Sequence, residues 1–293
     1  MNKQKIAVLA DTGTNVPADY AAEHDVHTVS LRIHFSDGSS FRTGEDIDAA
    51  TLIERMADEV PSTSLPSPEQ ISTALEQARF DGYEKAVFLT ISAGLSATNQ
   101  TVRLVASQMK DFPVTVINTK SIGPAAALIV MAASEMVEAG IPYRQLGRRL
   151  EALSDKTRVF FSTKTLDYLR KGGRISEPVY RLGSLLNIKP VITCDEAGYT
   201  KVARKTRGWE KSLDAEVSLA VEHASSLRER PRLAVFCSPG NDHYEELEGK
   251  LLTRLAERGV EADGTILRFD ISPDLLVHAG PDAVGIAVTA AWR

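Results

Sequence analysis

The sequence predicts an α/β protein of two domains, an N-terminal, mostly parallel, three-layer α/β/α domain and a C-terminal α+β domain with a mixed or antiparallel sheet. Three observations predict it. The 293 residues are long for one core. The first half alternates short apolar runs with segments of helical period, the order of a parallel sheet covered on both faces. The second half mixes helices with two adjoining strands around a tight turn at 195–198, which is a hairpin signal.

Each element has its own local reason. Residues 6–10, Ile-Ala-Val-Leu-Ala, form the first strand. Residues 27–35 alternate and are rich in β-formers, so they read as one strand ending at the Asp37-Gly38 turn. Helices follow over 48–59 and 67–79, each opening on a capping residue, Asp48 and Ser67. A buried strand over 85–91, a helix over 96–110, a strand over 114–117 and a helix over 124–139 complete the first half. In the second half, helices are expected over 143–153, 166–170, 177–185, 209–227 and 242–258. Strands are expected over 158–162, 188–193, 199–204, 233–237, 265–269 and 284–289. The domains are drawn as 1–154 and 155–293.

Composition excludes several classes. A net charge of −5 gives no general attraction to nucleic acid. No stretch reaches the roughly 20 apolar residues that span a bilayer, so no stable membrane insertion is expected. The best candidate, residues 123–137, is Ala-rich, holds Glu135 and reads as a buried amphipathic helix. The apolar run at 6–10 is too short for a signal peptide and ends at Asp11, so the expected location is cytoplasmic. Cys194 and Cys237 stand far apart in apolar strands and read as buried free thiols. Neither Cys-x-x-Cys nor His-Glu-x-x-His occurs, so no metal and no cofactor are expected.

Three hydroxyl-rich turns stand out in the first half. They are Asp11-Thr-Gly-Thr-Asn15, Pro61-Ser-Thr-Ser-Leu-Pro-Ser67 and Ser92-Ala-Gly-Leu-Ser-Ala-Thr98. Serine and threonine favour caps and turns in any case. The first and third turns also follow strands, where open α/β sheets bind ligands, and hydroxyls with helix N-terminal N–H groups suit an anionic headgroup.

The nucleophile elbow, the Walker loop and the dinucleotide fingerprint are all absent. A hydrolase or transferase using Ser96 or Ser92 with His278 would need the fold to bring these residues together.

Further along, Asp167-Tyr-Leu-Arg-Lys-Gly-Gly-Arg-Ile-Ser176 holds Arg170, Lys171 and Arg174 within five residues. It reads either as a helix C-terminus whose basic residues complement the dipole, or as a docking or phosphate-contacting patch. A second basic run contains Lys201, Arg204, Lys205 and Arg207. His278, before Ala-Gly-Pro281, reads as a turn residue or as a side chain pointing into the ligand site.

Taken in order, these pieces resemble the DegV family across nearly the whole chain. The matching stretches include Ala10-Asp-Thr-Gly-Thr-Asn-Val-Pro17, Phe41-Arg-Thr-Gly-Glu-Asp-Ile47, the second and third hydroxyl turns and Asp167 to Ser176. Gly183-Ser-Leu-Leu-Asn-Ile-Lys-Pro190, Arg207-Gly208 and His278-Ala-Gly-Pro-Asp-Ala-Val-Gly285 complete them. The resemblance implies a DegV-like fold and a long-chain fatty acid bound in a buried tunnel between the domains. It also implies a carrier rather than an enzyme, serving a separate ATP-binding fatty acid kinase subunit that makes acyl phosphate for phospholipid synthesis.

By the same resemblance, Thr63 and Ser96 hold the carboxylate, His278 lies near the headgroup, and Arg170, Lys171 and Arg174 face the partner. The sequence departs from the usual family pattern at Thr43, Leu65, Ala93, Ala97 and Asn118, and keeps Thr63, Ser96 and His278. Burying an acyl chain gains about 0.8 kcal/mol per CH₂, so roughly 10 kcal/mol for some 16 carbons before ordering costs.

Overall fold

The computed structural model describes residues 2–183 and 187–293. The last two residues of the helix expected over 177–185 lie outside the described residues, as do Ser184, Leu185 and Leu186 of the motif at 183–190.

The first half runs β1 (Ile6–Asp11), α1 (Ala18–Glu23), β2 (Val26–Val29), β3 (Arg32–His34), β4 (Ser40–Arg42), α2 (Ala49–Met56) and β5 (Ser62–Ser64). It continues through α3 (Pro68–Phe80), β6 (Lys85–Thr90), α4 (Thr98–Gln108), β7 (Val114–Asn118), α5 (Pro124–Glu138) and α6 (Tyr143–Asp155). The second half runs β8 (Arg158–Ser162), α7 (Asp167–Lys171), α8 (Glu177–Gly183), β9 (Val191–Cys194), β10 (Thr200–Arg204) and α9 (Trp209–Ser226). It ends with β11 (Pro231–Cys237), α10 (Tyr244–Glu257), β12 (Leu267–Asp270), α11 (Pro273–Ala279) and β13 (Val284–Ala290).

Parallel pairing gives a four-stranded sheet in the order β2-β1-β6-β7. Strand β1 shows why both of its faces are covered. Ile6, Val8 and Ala10 pack with Ile129, Val130 and Ala133 of α5. Ala7 and Leu9, pointing the other way, pack with Ile71 and Leu75 of α3 and Val102 and Val105 of α4. The expected α/β/α layering is therefore present. Its helices start where the capping residues direct. Asp48 accepts from the Thr51 N–H at 2.7 Å, and Ser67 forms a capping box with Gln70.

The second sheet has six strands in the order β10-β9-β8-β13-β11-β12, antiparallel except for β11 with β12. Helices α9 and α10 cover one face, through Leu213, Val217, Leu247 and Leu251. The other face, through Val159, Phe161, Phe236 and Ala287, shares one core with Ile33, Leu52, Leu128 and Met131 of the first half.

Helix α5 lies between the two sheets, and all of its residues except Glu135 and Glu138 are buried. The expectation of an amphipathic helix at 123–137 is therefore corrected. With a sheet on either side, the helix has no solvent face to be polar on.

The single strand expected over 27–35 is also corrected. It divides into β2 and β3, because the Leu31 N–H is taken by Thr12 Oγ1 at 3.0 Å. Strand β3 then joins β4 and β5 in a small antiparallel sheet, pairing Ile33 with Thr63. The segment around Thr63, expected as a turn, is thus a strand. Helix α11 is a further element, formed where the sequence reads as a turn before the last strand.

Candidate ligand-binding cavity

The seam between the halves holds a cavity of about 540 Å³, within the ~300–1,000 Å³ typical of small-molecule sites. From the first half, Leu31, Thr63, Leu65, the loop 93–97 and the turn 122–124 line it. From the second half, Phe161, Leu169, Arg174, Phe236, Leu275 and His278 line it. The wall is mostly apolar, with a few polar groups.

Those polar groups meet through short contacts. Strand pairing with β3 holds Thr63 in β5, and its Oγ1 lies 2.8 Å from His278 Nε2 on α11. Burial, and secondarily the charge of Arg174, pushes the His278 imidazole down to about 3, so it is neutral at physiological pH. Gly172 packs against this ring, where a Cβ would strike it. Gly173 turns the chain at φ +69°, and Arg174 follows. The Arg174 guanidinium donates to Gly172 O and, through Nε, to Leu95 O at 3.3 Å. Ser96 is the next residue. Its Oγ lies 2.8 Å from Thr98 Oγ1, at the start of α4. Thr63, His278, Arg174 and Ser96 thus form one group, in which Thr63 and His278 are bonded directly, and Arg174 is linked to them through Gly172 and to Ser96 through the Leu95 backbone.

The loop that carries Ser96 is clamped to the second half. Ser92 Oγ donates to Gly198 O at 2.7 Å, on the turn between β9 and β10. Gly94 and Gly198 approach so closely that a Cβ on Gly94 would meet Gly198 backbone. Asn118 Oδ1 accepts from the Ala93 and Lys120 N–H groups, both at 3.0 Å, and so fixes the base of the loop.

Other expected residues stand elsewhere. The Asp11–Asn15 turn does not line the cavity, and its polar groups bond within the turn and across to the second half. Thr14 Oγ1 donates to Asp11 O at 2.6 Å, and Asn15 bonds Asp270 O and the Ser272 N–H. The three basic residues separate. Arg174 is on the cavity wall, whereas Arg170 and Lys171 are exposed on α7. Arg170 pairs with Glu177 and stacks on Tyr180. Neither Ser92 nor Ser96 bonds to His278, whose Nε2 faces Thr63. Among the described residues no hydrogen-bond partner meets its Nδ1, so nothing orients the ring as a hydrolytic base would require.

Two buried carboxyls stand close to this region, Asp274 and, from the first hydroxyl-rich turn, Asp11. Asp274, on α11, adjoins the cavity wall and is 1% exposed, and its carboxyl lies against Ser272 and the first backbone N–H groups of its own helix. Burial raises it to about 6. Asp11, fully buried at the end of β1, accepts from the Ile91 N–H at 3.0 Å. It is raised to about 8 by burial and by the charge of Asp274. Cys194 and Cys237 are buried free thiols, each pushed up to about 12 by burial. Among the described residues no group of three or more His, Cys, Asp or Glu side chains is arranged to hold a metal ion. No described helix is long and apolar enough to cross a membrane.

A family model described as "Uncharacterised protein, DegV family" matches residues 5–291. A DegV domain-containing protein of Clostridium perfringens is 30% identical over 288 residues, covering 97% of this chain and 98% of that protein. Among solved structures, a fatty-acid-binding DegV family protein from Thermus thermophilus superposes with a TM-score of 0.86 at 28% identity, covering 98% of this chain and 99% of that one. A stearic-acid-binding protein from Eubacterium ventriosum superposes at 0.87 with 25% identity, covering 100% and 99%.

Proposed function

The chain belongs to the DegV family, and from that premise we propose that it binds one long-chain fatty acid in the cavity and carries it without transforming it. The observation that carries this reading is the connected group of Thr63, His278, Arg174 and Ser96 on a mostly apolar wall. The apolar part gains free energy with each methylene buried. A bare buried carboxylate is prohibitive, so its oxygens need donors. Two hydroxyls and a half-buried guanidinium supply them. With its proton on Nε2, His278 donates to Thr63 and leaves the Thr63 hydroxyl hydrogen free for the ligand. The fatty-acid-binding relatives from T. thermophilus and E. ventriosum support the ligand class.

Native mass spectrometry of the purified chain tests this. One fatty acid per chain, exchangeable for palmitate or oleate, is the expected result. Protein that is free of lipid and takes up neither acid refutes it.

The finer reading is that the carboxylate is presented to a separate ATP-binding kinase subunit, which forms the acyl phosphate. Arg170 and Lys171 are exposed just ahead of Gly172, leaving a basic edge beside the proposed headgroup position. Charge reversal at both, Arg170→Glu with Lys171→Glu, is expected to abolish acyl phosphate formation with such a subunit while palmitate affinity stays unchanged. Product formation at the wild-type rate would dismiss these residues as the contact. We draw the domains as 1–154 and 155–293, at the last residue of α6.

A further inference from the structure

The second sheet turns the inner face of three strands toward the cavity, and cross-strand partners share that face. Pairing sets them in rows. Phe161 of β8, Gly285 of β13 and Phe236 of β11 make one row. Val159, Ala287 and Ala234 make the next, about 7 Å further along the strands. Strand β13 begins just after α11, which carries His278, so the rows lead away from the proposed headgroup position. Both phenylalanines line the cavity, and on the second row Val159 lines it but Ala287 and Ala234 do not.

The small residues Ala283, Gly285 and Ala287 alternate down one face of β13 and would leave an open trough along its middle. The Phe236 ring closes that trough. A Cβ on Gly285 would strike Phe236 Cζ, so the tip of the ring rests where a side chain would otherwise stand. Any larger residue at 285 would push the ring off the sheet and into the cavity. We propose that Phe236, seated on Gly285, limits the length of the acyl chain that the cavity accepts, with Gly285 as the positioning residue. The proposal rests on the fatty-acid reading and names what sets chain length within it. Removing the ring opens the trough toward Ala287, and about 7 Å holds roughly four or five carbons at about 1.5 Å per bond.

The test is competition for the full chain, freed of lipid, among palmitic, stearic, arachidic and behenic acids. The readout is the affinity for arachidic acid relative to palmitic acid. Phe236→Ala is expected to raise this ratio about tenfold over wild type, the worth of two further methylenes buried. Phe236→Leu is expected to raise it less. Gly285→Ala is expected to lower the ratio, and the double variant Gly285→Ala with Phe236→Ala to recover the high ratio of Phe236→Ala. A general loss of stability would weaken all four acids alike and leave the ratio unchanged. An unchanged ratio in Phe236→Ala overturns the proposal while leaving fatty-acid binding intact. So does a low ratio that persists in the double variant. A Cβ on Gly285 would also strike Phe160 O across the strands. Should Gly285→Ala not fold for that reason, the two Phe236 variants decide. Failure of all four acids to bind the wild type overturns this proposal and the fatty-acid reading together.

Discussion

Thr63 joins the small antiparallel sheet to α11 through one hydrogen bond, and that bond faces the cavity. Replacing it by valine keeps the shape and removes the hydroxyl. Thr63→Val is expected to weaken palmitate binding about tenfold, the value of one hydrogen bond, while the melting temperature of the ligand-free protein changes little. Calorimetric titration beside thermal melts separates the two effects, and an equal loss in both would make Thr63 a structural residue only. Asp11 acts through pH instead. Its carboxyl is raised to about 8, so between about pH 4 and 8 the folded protein keeps a proton that the unfolded chain has released. Stability attributable to Asp11 is therefore full at low pH and is lost as pH rises toward 8. Asp274, raised to about 6, acts in the same direction over the lower part of that window. Asp11→Asn keeps an acceptor for the Ile91 N–H and cannot ionise. Its melting temperature relative to wild type is expected to be higher at pH 8 than at pH 5, and a difference that does not vary with pH would remove this role. At this scale Thr63, Ser96 and His278 were readable from motif resemblance. Asp274 was not, because an aspartate two residues after a serine looks like an ordinary helix-start residue until burial is known.

Helix α11 and the turn between β9 and β10 show how elements deliver these residues. Pattern reading found the hairpin but not the helix, because seven residues are too short for helical period to emerge. It also merged β2 with β3, since alternation continues across Ser30 and Leu31 while the chain passes to another sheet. The contacts of the Leu31 backbone with Thr12 and Thr43, both distant in sequence, end the first strand. The hairpin turn has a function at this scale, because Gly198 sits against Ser92 and so holds the loop that carries Ser96. Gly198 has φ +90°, and a Cβ there would fall on Ser92 Oγ. Gly240 has φ +82° with nothing within 4 Å of its Cβ position. Both alanine variants therefore carry backbone strain, but only Gly198→Ala adds a collision. Denaturant unfolding is expected to show Gly198→Ala less stable than Gly240→Ala by about 1–3 kcal/mol. Equal losses would mean that the loop moves aside without cost.

The two halves share one core, and further ties hold them at its edge. Glu135 of α5 accepts from Arg232 and from Trp292 Nε1, both at 2.6 Å. The two-sheet architecture was readable in the sequence because each half carries its own strand order and periodicity. The position of α5 between the sheets was not, since an Ala-rich apolar run is equally consistent with one covered face or two. That position matters for binding, because a cavity between two halves gives a ligand contacts with both. A ligand that binds only the assembled seam stabilises the whole molecule through mass action, by about 2.7 kcal/mol at a hundredfold excess over Kd. Palmitate at that excess is therefore expected to raise the melting temperature by several degrees. The same excess relative to the wild-type Kd applied to Thr63→Val, with Kd about tenfold weaker, leaves only a tenfold excess and about half the stabilisation. Scanning calorimetry with and without palmitate on both proteins checks the ratio. Equal shifts in the two would show that the acid gains its affinity away from Thr63, and would break the link between the connected polar group and the ligand.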